Sequence, residues 1–91
     1  MKNKYRTKDF YLTSYLLSSG FTLSSHFKSE GLTIFEFEES VELLDHIQKY
    51  YGFSASVNPI TYGNAMRTLK SIIHENTNGT EQYYSRAKRG N

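Results

Sequence analysis

The stretch Phe21-Thr22-Leu23-Ser24-Ser25-His26-Phe27-Lys28-Ser29-Glu30-Gly31-Leu32-Thr33-Ile34-Phe35-Glu36-Phe37-Glu38 carries most of the information about architecture. Phe21, Leu23, Ser25 and Phe27 alternate with Thr22, Ser24, His26 and Lys28, the period of two of a half-buried strand. Ser29-Glu30-Gly31 supplies a turn with one residue free to take positive φ. The return strand places Phe35 and Phe37 on one face and Glu36 and Glu38 on the other. Ile34 falls with the glutamates, which predicts a partly covered outer face. Residues 21–38 are therefore expected to form a β-hairpin.

Upstream, the spacing predicts a helix over Lys8–Ser19 with Thr7 as N-cap and Asp9 in the positively polarised first turn. Leu12, Tyr15, Leu16 and Ser19 form its apolar stripe, widened by Phe10, Tyr11 and Leu17, and Gly20 suits a left-handed helix end. Downstream, Ser40 caps a second helix with Glu42 in its first turn and Gly52 at its end. One stripe of this helix runs through Val41, Leu44 and Tyr51, broadened by Leu43, Ile47 and Tyr50. Phe53, Ala55 and Val57 alternate with Ser54 and Ser56, which predicts a short third strand. Asn58-Pro59 is an N-cap followed by proline at the first helical position. A last helix is expected from Pro59 to about His74, with Tyr62, Ala65, Met66, Leu69, Ile72 and Ile73 facing inward. Gly63 in its second turn suggests a close backbone approach. The order α-β-β-α-β-α predicts an α+β fold, with strands in the order 3-1-2 and helices over one face. Residues 1–76 are expected to form a single domain with a basic N-terminal arm (1–8), and 77–91 a disordered basic tail.

Several of these residues fall in a spaced pattern. Tyr5-x-Thr7-x-Asp9-Phe10-Tyr11-Leu12, Leu16 and Gly20-Phe21 open it. Phe35-x-Phe37-Glu38, Tyr50-Tyr51, Val57-Asn58-Pro59 and Leu69-Lys70 follow. Over about residues 5–75 the chain resembles the small bacterial and phage proteins grouped as domain of unknown function 5659. The resemblance implies a small cytosolic protein of bacterial or phage origin. It carries no activity, so it assigns no site residue.

Composition narrows the function classes. The 91 residues include no cysteine, which removes disulfides, thiolate metal sites and a cysteine nucleophile. No apolar run approaches the roughly 20 residues of a membrane span. The start Met1-Lys-Asn-Lys-Tyr-Arg6 has charge but no apolar stretch behind it, so no secretory signal is expected and the chain reads as cytoplasmic. The net charge of +2 is segregated. Residues 1–8 carry +4, residues 9–75 carry −4, and residues 76–91 carry +2.

Catalytic signatures are missing. There is no Gly-x-Ser-x-Gly elbow, no glycine-rich phosphate loop and no dinucleotide fingerprint. Glu36, Glu38, Glu39, Glu42 and Asp45 are dense enough to attract a cation, but their spacing is not that of a calcium loop. Glu42 and His46 make at most two ligands. The chain is expected to be a non-catalytic binding module needing no cofactor or metal.

Two kinds of partner fit. Lys2, Lys4, Tyr5, Arg6 and Lys8 at one end, and Tyr83, Tyr84, Arg86, Lys88 and Arg89 at the other, interleave aromatics with cations, as nucleic-acid contacts do. Arg67 and Lys70 on the last helix would extend that surface. The alternative is a protein-binding inhibitor or adaptor that offers the acidic surface 36–45 (Glu36, Glu38, Glu39, Glu42, Asp45) to a basic protein. Eight tyrosines exceed what so small a core can hide, whereas the six phenylalanines, Phe53 included, are expected inside.

Overall fold

The computed structural model describes residues 3–77. The elements are β1 (Lys4–Thr7), α1 (Phe10–Ser18), β2 (Leu23–Ser29), β3 (Leu32–Glu38), α2 (Val41–Tyr51) and α3 (Pro59–Thr77). The fold is α+β: three helices and a three-stranded antiparallel sheet in the order β1-β3-β2. The expected C-terminal tail lies outside the described residues, apart from Thr77, which ends α3.

The hairpin forms where the alternation and turn residues place it. Glu30 (φ 51°) and Gly31 (φ 83°) both take positive φ, the pair that a two-residue turn between right-twisted strands requires. The alternation in β2 is interrupted, however. Leu23 pairs with Phe37 and Ser25 with Glu36, so Ser24 is an extra residue, and its hydroxyl donates to the Glu36 carbonyl (3.0 Å). This bulge reverses the facing of everything after it. Phe27 therefore lands on the outer face opposite Ile34, 40% exposed, instead of in the core. It is the partial cover that Ile34 called for.

The sheet's third member corrects the expected order. The hairpin's second strand is central, and β1 occupies its free edge, pairing Tyr5 with Phe37 and Thr7 with Phe35. The alternation of Phe53, Ala55 and Val57 does not make a strand, because Phe53 has φ 61° and no strand residue does. The arm reads poorly as a strand because only Tyr5 in its four residues is large and apolar. Its backbone ladder with β3 is accompanied by complementary charges across the sheet.

Helix caps are mostly where the residues suggest. Asp9, not Thr7, is the N-cap of α1. Its carboxylate accepts from the Tyr11 and Leu12 amides (3.0 and 3.1 Å), while Thr7 Oγ1 accepts from the Asp9 amide. Ser40 Oγ caps α2 at the Leu43 amide (3.0 Å), and Asn58 Oδ1 caps α3 at the Ile60 and Thr61 amides.

The core contains Leu12, Tyr15, Leu16, Phe35, Phe37, Leu43 and Leu69, so the helices cover the face of the sheet that carries Phe35 and Phe37. α1 packs on both α2 and α3 and is buried over five consecutive residues, Leu12–Leu16. Thr13 and Ser14 tolerate this because their hydroxyls donate back to the Asp9 and Phe10 carbonyls (2.8 and 2.9 Å). In α2 the buried stripe is Leu43, Ile47 and Tyr50, leaving Val41, Leu44 and Tyr51 largely outside. α3 buries Ala65 and Leu69 and half-buries Tyr62, Met66, Ile72 and Ile73, as its spacing predicts. Gly63 makes no close approach, since a Cβ there would meet nothing within 4 Å. Among the described residues no helix is long and apolar enough to cross a membrane.

Candidate functional site

The basic arm and the acidic stretch turn out to be partners. β1 and β3 pair Lys4 with Glu38 and Arg6 with Glu36. Lys4 Nζ lies 3.3 Å from Glu38 Oε2, and Arg6 Nε donates to Glu36 Oε2 at 2.7 Å. Ser25 Oγ donates to the other oxygen of Glu36 (3.2 Å), and the Arg6 guanidinium lies 5.9 Å from the centre of the Phe27 ring. The hydrogen bond from Arg6 holds the Glu36 carboxyl below its ordinary pKa, against partial desolvation, with help from Ser25 and the charges of Arg6 and Lys4. Tyr5 faces the opposite way, half-buried against the core.

The remaining candidates disperse. Lys8, Arg67 and Lys70 are exposed, and Arg67 Nη2 donates to Asn64 Oδ1 within α3. Glu39 accepts from Asn3 (3.3 Å), and Asp45 pairs with Lys49 along α2 (3.2 Å). Glu42 is exposed in the first turn of α2. Strand alternation puts Glu36 on the outer face of the sheet, away from α2, the helix that carries Glu42 and Asp45. Lys2, Tyr83, Tyr84, Arg86, Lys88 and Arg89 lie outside the described residues. His46 Nδ1 donates to the Glu42 carbonyl (2.8 Å), and its ring packs edge-on to Phe21, centroids 5.0 Å apart. Among the described residues no three His, Asp or Glu side chains are placed to hold a metal ion.

A different site emerges where α2 hands over to α3. Two helices end in the same motif with different residues at its special position. At the end of α1 the Gly20 amide bonds the Leu17 carbonyl and the Phe21 amide bonds the Leu16 carbonyl, with Gly20 at φ 100°. At the end of α2 the Phe53 amide bonds Tyr50 (3.3 Å) and the Ser54 amide bonds Lys49 (2.9 Å). Here Phe53 occupies the left-handed position, while Gly52, one residue early, has an ordinary φ of −88°. A side chain in that conformation costs on the order of 1–2 kcal/mol that glycine avoids. The strained Phe53 is 97% exposed, so its own burial returns nothing.

Phe53, Ala55 and Val57 line a groove of about 330 Å³ together with Tyr15, Tyr50 and Tyr62. Tyr15 and Tyr50 stack, with centroids 5.6 Å apart at 30°. Beside the groove Asp9 binds Tyr51, whose hydroxyl donates to Oδ2 at 2.8 Å. Tyr62 Oη reaches the Tyr11 carbonyl at 3.5 Å. Burial raises the pKa of Tyr50, Tyr51 and Tyr62, and the Asp9 carboxylate raises all three further, by its hydrogen bond as well as its charge at Tyr51. The phenols hold their protons, and a negative charge is felt at the groove wall. Ile60, at the start of α3, is also 74% exposed.

Sequence reasoning missed this groove because it placed Phe53 in a strand and in the core. The available signal was the excess of tyrosine over core capacity. A family model described as "Domain of unknown function (DUF5659)" matches residues 2–75. Neither the curated proteins nor the solved structures contain a match to this chain.

Proposed function

Since the chain belongs to the DUF5659 family, whose description carries no activity, we propose from its own geometry that it is a non-catalytic protein-binding module working through the groove between α2 and α3. The observation that carries this reading is Phe53. A large apolar ring held in a strained conformation and almost wholly in water is a poor arrangement for folding and a good one for contact. Aromatic anchors beside a pocket are the side chains that dominate binding energy at protein interfaces. Val57, 40% exposed, adds to the apolar surface of the groove. The acidic surface 36–45 is a weaker candidate because Glu36 and Glu38 already pair within the sheet.

In the nucleic-acid reading Lys4 and Arg6 are likewise engaged, Lys8, Arg67 and Lys70 are exposed, and its other cations lie outside the described residues. The test is capture from lysate with the full chain, comparing native protein with Phe53→Gly, with and without nuclease. Proteins retained by the native chain, lost at least tenfold by the variant and indifferent to nuclease support the proposal. Retention that is equal in the variant overturns it. Release of everything by nuclease overturns it in favour of nucleic acid.

A further inference from the structure

We infer that the groove takes the side chain of an arginine presented by a basic segment of the partner protein. This rests on the protein-binding reading above and specifies its ligand. The lining is aromatic: Tyr50, Tyr62 and the exposed Phe53 offer ring surface, while Tyr15 is buried and stacks on Tyr50 from the core side. Ring faces carry negative quadrupole potential and attract a cation lying over them. None of the six lining residues is basic. The nearby carboxylate is Asp9, with Tyr51 hydrogen-bonded to one oxygen and the α1 amides to the other. Its hydrogen-bonding sites are largely taken, so it acts on a ligand through its field rather than by direct pairing. That field favours a guanidinium and opposes a phosphate, which separates this groove from a base-stacking platform for nucleic acid.

The volume of about 330 Å³ lies at the small end of ligand pockets and leaves room for one long side chain. Arginine fits on two further counts. Its planar head stacks on aromatic rings and is weakly hydrated, and its aliphatic stem can lie along Val57 and Ala55.

The test uses the full chain and three synthetic peptides, acetyl-Gly-Ser-X-Ser-Gly-amide, with X as arginine, citrulline or norleucine. Amide chemical shifts of Ala55, Val57 and Tyr62 report occupancy. The arginine peptide should shift these resonances, and citrulline, its neutral near-isostere, should bind about tenfold more weakly. Asp9→Asn keeps a competent N-cap and should reduce that discrimination at least about twofold. Citrulline or norleucine binding as well as arginine would overturn the cation inference while leaving the groove as a protein site. The absence of any shift with all three peptides would overturn it too. In that case the protein-binding proposal is still decided separately, by the Phe53→Gly capture.

Discussion

A single side chain shows most directly how folding and function compete in this protein. Phe53 and Gly20 occupy equivalent positions in the same helix-terminating motif, and only Gly20 is suited to it. Phe53→Gly removes the left-handed strain but adds freedom to the unfolded chain, so the variant should be as stable as the native protein or more stable by up to about 1 kcal/mol. Thermal or denaturant unfolding checks this, and a loss above that size would mean the ring is structural. Glu36 gives a second prediction. Its folded pKa is lowered, so the stabilisation is complete above the ordinary glutamate value of 4.5 and disappears as pH falls through the lower folded value. Glu36→Gln should therefore flatten the acid limb of melting temperature against pH below 4.5. Tyr51 has the opposite sign: its raised value favours the protonated phenol, stabilising below 10 and losing that contribution at higher pH. Spectroscopic titration should show Tyr5, Tyr50, Tyr51 and Tyr62 ionising above the ordinary tyrosine value, and the latest step should vanish in Tyr51→Phe.

Among the elements, the instructive contrast lies between β1 and the loop after α2. Local signals were legible: Ser40, Asn58-Pro59 and Gly20 bound their helices, and Glu30-Gly31 turns the hairpin, because caps and turns are decided within a few residues. β1 was not legible. Its pairs join residues 30 and 34 apart, Arg6 with Glu36 and Lys4 with Glu38, and no window along the chain contains both partners. The loop deceived in the other direction, since Phe53-Ser-Ala-Ser-Val57 satisfies a strand template while its first residue has a backbone angle no strand adopts. The Ser24 bulge likewise moves Phe27 to the outer face without any mark in the polarity pattern. β1 also changes how the charged arm should be probed. Removing residues 1–8 strips an edge from β3 and uncovers Phe35 and Phe37, so the truncated chain should lose cooperative unfolding. Reversing charges is cleaner: Arg6→Glu and Glu36→Arg should each lower the melting temperature, and the double variant should recover most of the loss.

For the whole molecule, one small core joins every element except the groove's outer lip. Leu69 is fully buried and ties α3 to that core, so Leu69→Ala should cost about 2–5 kcal/mol in denaturant unfolding. Asp9 connects core and groove, since it starts α1 and binds Tyr51 near the end of α2. The groove was not legible for the reason the core largely was. Burial follows periodicity, whereas this surface is assembled from the middle of α1, a helix end, a loop and a helix start.

The placement of β1 at the edge of β3 also sets a timetable. During synthesis Lys4–Thr7 emerges before β3, the strand it pairs with among the described residues, which is made some thirty residues later. The hairpin and α1 can assemble from near neighbours while the arm waits for a completed edge. The arm is then the last strand to join and the first to leave. Amides of β1 bonded to β3 should exchange with solvent faster than those joining β2 to β3, so the sheet carries a detachable margin opposite its hairpin.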